Sequence, residues 1–149
     1  DMLEGQGISH VLLDIGGNIR AIGDKPDGTL WRLGLQNPDL DSDENYVHII
    51  ELESTSLVTS GDYQRYYTVN GKRYHHIIDP QTLMPSDRFT DVSVIYEDSG
   101  ISDAMSTALF NMDIEEGKAL AESVGAEVLW IFQDGSETMT DGFADYISE

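Results

Sequence analysis

The chain has 149 residues, 40% of them hydrophobic, so it is long enough for one domain with a buried core and too apolar for a disordered segment. Its 28 acidic residues against eight basic ones give a net charge of -20, which excludes nucleic acid and anionic lipid as direct partners. The absence of cysteine excludes disulfides, thiolate catalysis and Cys-based zinc sites. An anionic ligand would also be repelled, so its site would need a bound cation or aligned backbone N–H groups.

The first half of the chain has the patterns of antiparallel strands. Residues 8–15 are rich in Val, Leu and Ile and stop at Gly16-Gly17, after which residues 20–22 complete a predicted hairpin. Residues 30–36 and 46–53 alternate apolar and polar side chains, which predicts two more strands.

The middle of the chain contains the clearest hairpin signal. Residues 64–69 and 73–79 flank Asn70-Gly71, a dipeptide suited to a tight type I′ turn because both central residues of that turn need positive φ. Residues 89–96 are rich in Val and Ile and predict a further strand.

Helical patterns follow this strand. Ser102 is predicted to cap a helix that ends near Met112 and has this apolar stripe: Ala104, Met105, Ala108, Leu109 and Met112. A second helix is predicted to begin at Asp113, with Glu116 in capping-box spacing, and to end at Gly125. Its predicted buried residues are Ile114, Leu120, Ala121 and Val124.

The last segment returns to strand patterns. Residues 127–132 predict a buried strand, and Asp134-Gly135 turns the chain toward a final strand or short helix that ends near Tyr146. Helices grouped after an antiparallel run predict one α+β domain over residues 1–149, with two helices packed on one face of an antiparallel sheet.

Asp103 and Thr107 are the first candidates for chemistry. Their spacing of four places both side chains on the same side of a helix, about one turn apart. Both offer hard oxygen ligands, and Mg²⁺ commonly combines a few such ligands with substrate phosphates. The structural alternative is that Asp103 stabilises the helix N-terminus and that Thr107 bonds back to a carbonyl.

The second candidate is the sequence His75-His76-Ile77-Ile78-Asp79-Pro80. Strand alternation sends His75 and His76 to opposite faces, so at most one of them is expected to be functional. That histidine could bond to a phosphate or transfer a proton near neutral pH, and the alternative is a histidine with only structural contacts.

Two short segments are predicted to be flexible turns whose backbone N–H groups could face an anion. They are Thr59-Ser60-Gly61-Asp62 and Gly16-Gly17-Asn18. Neither has the length of a Walker or dinucleotide fingerprint, and ordinary turns between strands would look the same.

Four motifs, taken together and in order, resemble the ApbE family, the FAD:protein FMN transferases. They are Asp14-Ile-Gly-Gly-Asn-Ile-Arg-Ala-Ile-Gly23, Thr59-Ser-Gly-Asp-Tyr63, His76-Ile-Ile-Asp-Pro80 and Asp103-Ala-Met-Ser-Thr-Ala108. The resemblance implies a T-fold-like antiparallel sheet backed by two helices. It also implies that Mg²⁺ helps to break the pyrophosphate of FAD, and that FMN is attached to a Thr or Ser of an acceptor flavoprotein subunit.

The same resemblance assigns roles to individual residues. Asp103 and Thr107 are expected to bind the metal, and His76 is expected to lie beside the pyrophosphate as the catalytic residue. Ile77 and Asp79, together with Ser60 and Gly61, are expected to bind the nucleotide.

The chain departs from the family pattern at one position. Leu83 stands where the family usually has glycine, which could alter the loop backbone and crowd the flavin entrance. The resemblance covers the C-terminal half of such an enzyme, and Asp1 resembles the last residue of a segment that supplies part of the flavin and metal site. The N-terminal half is therefore expected to be a missing partner, and the chain alone is expected to be inactive and to bind Mg²⁺ weakly.

Three hypotheses follow from these patterns. The parent protein is a Mg²⁺-dependent flavin transferase, or an FAD pyrophosphatase that releases FMN and AMP, or this chain is a non-catalytic module that assembles with itself as a homodimer or with its missing half. By family analogy the protein is expected outside the cytoplasmic membrane, at the periplasm or cell surface, as a membrane-anchored lipoprotein.

Overall fold

The computed structural model describes residues 2–148 and shows an α+β fold, as predicted. The expected role of Asp1 lies outside the described residues. No helix within residues 2–148 has the length and apolar character needed to cross a membrane. The strands and helices are β1 Val11–Ile15, β2 Asn18–Ile22, β3 Trp31–Gln36, β4 Tyr46–Leu52, β5 Ser56–Gly61, β6 Tyr66–Val69, β7 Lys72–His75, β8 Phe89–Tyr96, α1 Ser99–Phe110, α2 Ile114–Val124, β9 Glu127–Phe132 and β10 Glu137–Met139.

The main sheet has six strands in the order β1-β2-β5-β8-β9-β10, and each neighbouring pair is antiparallel. β5 is an inner strand of this sheet, so the prediction of a flexible turn at Thr59–Gly61 was wrong. Thr59, Ser60 and Gly61 pair with Ser93, Val92 and Asp91 of β8. Their Ser, Thr and Gly content is typical of a turn, but pairing on the sheet overrides local preference.

Both helices pack against one face of the main sheet, as predicted. Their contacts form one core cluster in which Met105 and Leu109 of α1 and Ala121 of α2 meet Val92 and Trp130 of the sheet. Burying this apolar surface is the main force that holds the helices on the sheet.

The opposite face of the main sheet is covered by a second layer. β3 and β4 form a separate two-stranded sheet. Its residues Leu35 and Ile50 share a second core cluster with Leu57, Leu129 and Phe143, the last from a short 3₁₀ helix at Phe143–Tyr146. The final segment thus contains both a strand and a short helix.

The N-terminal cap of α1 differs from the prediction. Asp98, not Ser102, caps the helix, because its carboxylate accepts hydrogen bonds from the N–H groups of Gly100 and Ile101. The buried residues of α1 are Ser102, Met105, Ser106, Leu109 and Phe110. Ala104 and Ala108 are exposed, because the helix turns its two serines, rather than these alanines, toward the serines of β5.

α2 ends as predicted at Gly125, which adopts a left-handed conformation with φ of 75°. Its start differs from the prediction, since Asp113 occupies the cap position without a side-chain cap bond and instead pairs with Arg88. Val124 is exposed rather than buried.

The hairpin of β6 and β7 forms a third, two-stranded sheet. Its turn residues Asn70 and Gly71 have φ of 50° and 80°, which agrees with the predicted type I′ turn. β7 ends at His75, four residues earlier than predicted, and the chain then enters a loop in which Ile78 bridges to Pro85.

Candidate functional site

A cavity of about 160 Å³ lies where the β1–β2 turn, the end of β5, the β6–β7 hairpin and α1 converge. The β1–β2 turn, the stretch from β5 through the hairpin, and α1 are far apart in sequence, so only the fold brings them together. The lining residues are Gly16, Gly17, Thr59, Ser60, Gly61, Tyr63, Gln64, Arg65, His76, Asp103 and Thr107.

Asp103 and Thr107 lie side by side on the α1 wall of this cavity, and both are exposed. Their carbonyl groups accept hydrogen bonds from Ser106 and Asn111. Within the described part of the chain, the Asp103 carboxylate and the Thr107 hydroxyl bond to no protein group. Both oxygen ligands are therefore available to a ligand in the cavity.

The structural alternatives for these two residues are fulfilled by other side chains. Asp98 caps the helix N-terminus, and Asp103 is the fifth helical residue. Ser102 and Ser106 donate back to the carbonyls of Asp98 and Asp103, whereas Thr107 makes no such bond. Neither helix capping nor back-bonding thus explains why a carboxylate and a hydroxyl stand here.

The donor set fits a cation that is shared with a phosphate ligand. Asp103 and Thr107 supply hard oxygen atoms, and Mg²⁺ typically takes one or two carboxylates and fills its other positions with waters and phosphate oxygens. Residues 2–148 contain no group of three or more His, Asp or Glu side chains arranged to hold a metal. These residues therefore do not form a complete set of metal ligands by themselves.

The two neighbouring histidines differ as alternation predicted. His75 is buried, and its Nε2 donates to the carbonyl of Ser86 at 2.7 Å while its Nδ1 accepts the N–H of Ile77 at 3.3 Å. His76 is exposed and lines the cavity, and its Nδ1 donates to the carbonyl of Arg65 at 3.4 Å. That bond leaves Nε2 of His76 as the free acceptor nitrogen in the neutral ring.

Ser60 and Gly61 both line the cavity at the end of β5. Ser60 Oγ lies 2.8 Å from Ser106 Oγ, and Ser106 donates to the carbonyl of Asp103. This chain of bonds ties β5 to the turn of α1 that carries Asp103. Gly61 has a packing role, because a Cβ there would lie 2.5 Å from the ring of Tyr63.

Ile77 and Asp79 do not reach the cavity. The Ile77 side chain is buried in the helix-side core, and its carbonyl accepts the N–H of Ser86. The Asp79 carboxylate accepts the N–H of Gln81 at 2.7 Å and stabilises the loop that follows. Both residues thus have structural contacts, and nucleotide binding by either stays a prediction.

Leu83 adopts a conformation that favours glycine. Its φ is 58°, and its side chain is 75% exposed. The left-handed region costs a side-chain-bearing residue roughly 1–2 kcal/mol. Leu83 thus carries a side chain in a backbone conformation that favours glycine, and the expected change in the loop backbone stays a prediction.

Sequence reasoning missed Arg65, which lies on the cavity wall. Its guanidinium lies close to Gly16 in the β1–β2 turn, where a Cβ would stand 4.0 Å from Nη2. In a chain with net charge -20, this cation offsets repulsion of an anionic ligand locally. Its signal in the sequence is weak, because a lone Arg in a strand usually indicates only solvent exposure.

A buried network supports the wall behind Gly61. The Tyr63 hydroxyl donates to one carboxylate oxygen of Asp91 at 3.0 Å, and Ser93 donates to the other at 2.9 Å. Burial raises the pKa of the Asp91 carboxyl to about 7, although these two hydrogen bonds lower it. Burial, followed by the nearby Asp91 charge, also raises the pKa of Tyr63.

A larger opening of about 340 Å³ lies on another side of the molecule, near Arg73, Gln133 and Asp134. Its polar groups already have protein partners. Arg73 pairs with Asp62, Gln133 donates to Asp62 and to the Phe89 carbonyl, and Asp134 accepts from Ser136. The smaller cavity is therefore the better candidate of the two. Its wall presents a carboxylate and a hydroxyl, those of Asp103 and Thr107, that have no protein partner among the described residues.

Comparisons with known proteins agree with the motifs. Residues 1–130 match the model of the ApbE family. An FAD:protein FMN transferase of Vibrio cholerae is 38% identical over 149 residues, which cover 99% of this chain and 43% of the relative. An FAD:protein FMN transferase of Treponema pallidum is 33% identical, and the matched region covers 98% of this chain and 43% of that relative.

Solved structures give the same result. The crystal structure of the ApbE protein from Thermotoga maritima matches with a TM-score of 0.85 and 34% identity, over 94% of this chain and 45% of that one. The flavin transferase ApbE from Vibrio cholerae matches with a TM-score of 0.79 and 35% identity, over 98% and 47%. The chain thus spans less than half the length of these relatives.

Proposed function

The chain belongs to the ApbE family, and on this premise we propose that it forms the metal-binding and catalytic part of a Mg²⁺-dependent FAD:protein FMN transferase. Because it spans only 43% of the Vibrio cholerae relative, we propose that it acts together with the remaining length that such enzymes have, and is inactive alone. Its substrates would be FAD and an acceptor flavoprotein subunit with a reactive Thr or Ser.

One observation carries this proposal: a single cavity unites the groups that pyrophosphate chemistry requires. Asp103 and Thr107 offer unengaged oxygen ligands, Arg65 offers a cation, and His76 offers a free ring nitrogen. At about 160 Å³ the cavity suits a phosphate group and a cation rather than a whole FAD, which needs several hundred Å³. The flavin and adenosine ends of FAD would thus extend beyond these residues.

The proposed reaction conserves every atom. The acceptor hydroxyl oxygen attacks the phosphorus on the FMN side of the pyrophosphate and forms a P–O bond. The bond between that phosphorus and the bridging oxygen breaks, AMP leaves with the bridging oxygen, and FMN becomes a phosphoester of the acceptor. The proton of the acceptor hydroxyl needs a base.

His76 is the proposed base. With Nδ1 donating to the carbonyl of Arg65, Nε2 of the neutral ring can accept the hydroxyl proton. Arg65 would hold the pyrophosphate oxygens through its guanidinium. When bound by Asp103 and Thr107, Mg²⁺ would neutralise charge that develops on those oxygens.

The test is a transfer assay with the full-length protein that contains this chain. It is incubated with FAD, MgCl₂ and an acceptor protein, and the intact mass of the acceptor is measured. The proposal predicts a gain of one FMN less one water, strongly reduced by His76→Asn and unchanged by His10→Asn, a control at an exposed histidine that bonds to Asp24. No mass gain with any acceptor would reject the proposal.

The same assay separates transfer from hydrolysis. If water replaces the acceptor hydroxyl, free FMN and AMP accumulate without acceptor, and the protein is an FAD pyrophosphatase. Chromatography of the nucleotides in reactions with and without acceptor distinguishes the two activities.

We further propose that the protein works outside the cytoplasmic membrane, by analogy with its family. Fractionation of the source cells tests this, and recovery in the cytoplasm would reject it.

A further inference from the structure

The β6–β7 hairpin has an unusual charge for this chain. No Asp or Glu occurs in residues 63–78, whereas the whole chain contains 28. The same stretch contains Arg65, Lys72 and Arg73, three of the eight basic residues. Arg73 is paired with the Asp62 carboxylate at 3.6 Å, so Lys72 is the hairpin cation that has no carboxylate partner among the described residues. The hairpin is therefore a less acidic surface, with one cation that is free in the described part of the chain, on a strongly acidic protein.

Aromatic side chains accompany these cations and are held in place. Tyr67 is 65% exposed, and its ring stacks on Tyr74 at 5.5 Å between centroids. On the face of the hairpin that carries Tyr67, Lys72 lies 5.4 Å from the ring centre of Tyr74. On the opposite face, Arg73 lies 4.4 Å from the ring centre of Tyr66. Tyr and Arg side chains are enriched at protein interfaces. Side chains that are already held by neighbouring groups lose little conformational entropy when a partner binds.

The hairpin leaves this surface uncovered within residues 2–148. β6 and β7 pair only with each other there, and Tyr66 and Val69 are also more than 40% exposed. Contiguous exposed apolar surface that is rimmed by polar residues is a mark of protein-interaction sites.

The position of the hairpin connects it to the candidate site. Arg65 precedes β6, His76 follows β7, and both line the cavity. A protein that binds to the hairpin would thus lie at the entrance of the cavity, where a hydroxyl group must arrive.

From this geometry we propose that the β6–β7 hairpin is the docking surface for the acceptor protein and binds an acidic segment beside the hydroxyl that receives FMN. This inference rests on the proposed transfer function. Charge complementarity selects the occupant, because a net charge of -20 repels an acidic protein from the rest of the surface and leaves the hairpin as the attractive region. A second copy of the chain would also be acidic, but bound here it would obstruct the cavity.

The experiment measures transfer kinetics of the full-length protein as the concentration of acceptor is varied at saturating FAD. The variants are Lys72→Glu and a charge-matched control, Lys118→Glu, which lies on α2. Lys72→Glu is expected to raise the KM for the acceptor about ten-fold at low ionic strength with little change in kcat, because a like charge opposes the acidic segment. Lys118→Glu is expected to change KM by less than two-fold.

Two further measurements show whether a change in KM results from the charge or from misfolding of the hairpin. Lys72→Arg should keep the wild-type KM. An acceptor whose acidic residues near the target hydroxyl are replaced by Lys should lose affinity for the wild type and regain it with Lys72→Glu. Such an exchange of preference cannot result from misfolding.

Several results would overturn the inference. Equal KM values for the wild type and Lys72→Glu, or equal increases in both Glu variants, would show that the hairpin does not bind the acceptor. If Lys72→Glu raises the KM for FAD in a second series, with FAD varied at saturating acceptor, the surface is a nucleotide site. A wild-type dimer that is lost in Tyr67→Ala would assign the surface to self-association. Protection of Tyr67 from nitration without acceptor would mean that another part of the protein covers it. Absence of any transfer by the wild type would reject the proposed function as well.

Discussion

Two adjacent regions of the molecule use polar side chains in opposite ways. In the seam between β5, β8 and α1, every side-chain hydroxyl of β5 has a protein partner: Ser56 bonds to Ser102, Ser60 to Ser106, and Thr59 to Ser93. On the cavity wall one turn away, Asp103 and Thr107 are exposed, and within residues 2–148 the Asp103 carboxylate and the Thr107 hydroxyl bond to no protein group.

This difference separates polar side chains that stabilise the fold from polar side chains that are available for catalysis. Polar groups that are satisfied inside the fold fix the position of the wall, and breaking their bonds should reduce stability. Polar groups that face the cavity contribute little to folding, so replacing them should reduce activity and leave stability almost unchanged. The following substitutions test that separation.

The largest effect is expected at Asp103. Asp103→Ala should lower kcat/KM for FMN transfer about 100-fold, because it removes a ligand of the proposed cation, whose charge stabilisation amounts to several kcal/mol. Its melting temperature should remain within about two degrees of the wild type, since the carboxylate has no described protein partner. Transfer assays and thermal unfolding of the full-length protein measure both.

Asp98→Ala on the same helix is the matched control. The Asp98 carboxylate caps α1, so its loss should lower the free energy of unfolding by about 1 kcal/mol while activity changes little. If Asp103→Ala destabilises the protein as much as Asp98→Ala does, or if both retain full activity, the separation between support and chemistry is wrong.

The second prediction concerns the pH dependence of the buried Asp91. Burial raises the pKa of its carboxyl from 3.8 to about 7, so between these values the folded state keeps a proton that the unfolded state loses. Stability from this group is therefore greatest at low pH and falls as pH rises toward 7. Asp91→Asn should remove that fall, so the unfolding free energy of the variant relative to the wild type should increase from pH 5 to pH 8.

Unfolding in urea at both pH values measures this change. The exposed Asp41→Asn is the control and should show a nearly constant difference from the wild type. A constant difference for Asp91→Asn as well would mean that the Asp91 carboxyl is already ionised in the folded protein at pH 5.

The smallest effect is expected at Leu83. Leu83→Gly should increase the free energy of unfolding by about 0.5–1 kcal/mol, because glycine adopts its φ of 58° without the penalty of a side chain but loses more freedom on folding. Leu40→Gly, at another exposed leucine that lacks a positive φ, should instead destabilise the protein slightly. Stabilisation by both substitutions would point to loss of exposed apolar surface as the cause.

The sequence predicted those parts of the fold that depend on local signals. Asn70-Gly71 identified the hairpin, and Gly125 identified the end of α2, because only a few residues tolerate positive φ. β5 was missed, since its Ser and Thr side chains suit a turn as well as a strand, and their partners Ser102 and Ser106 lie more than 40 residues away.

The candidate site was predictable to a similar extent. Helical spacing placed Asp103 beside Thr107, and alternation separated His76 from His75. Arg65 could not be singled out, because its approach to the Gly16 turn depends on how the hairpin folds back against β1 and β2. Once two distant segments meet, sequence spacing no longer indicates which residues share a wall.

The most direct test of the central claim, that Asp103 and Thr107 bind a cation shared with the FAD pyrophosphate, is a titration of the full-length protein with Mn²⁺ in the presence of FAD. Mn²⁺ prefers oxygen ligands as Mg²⁺ does, and its electron paramagnetic resonance signal reports the free ion. We predict saturable binding by the wild type that is weakened at least ten-fold in Asp103→Ala and Thr107→Val. Unchanged Mn²⁺ affinity in both variants would contradict the assignment of this cavity as the metal site.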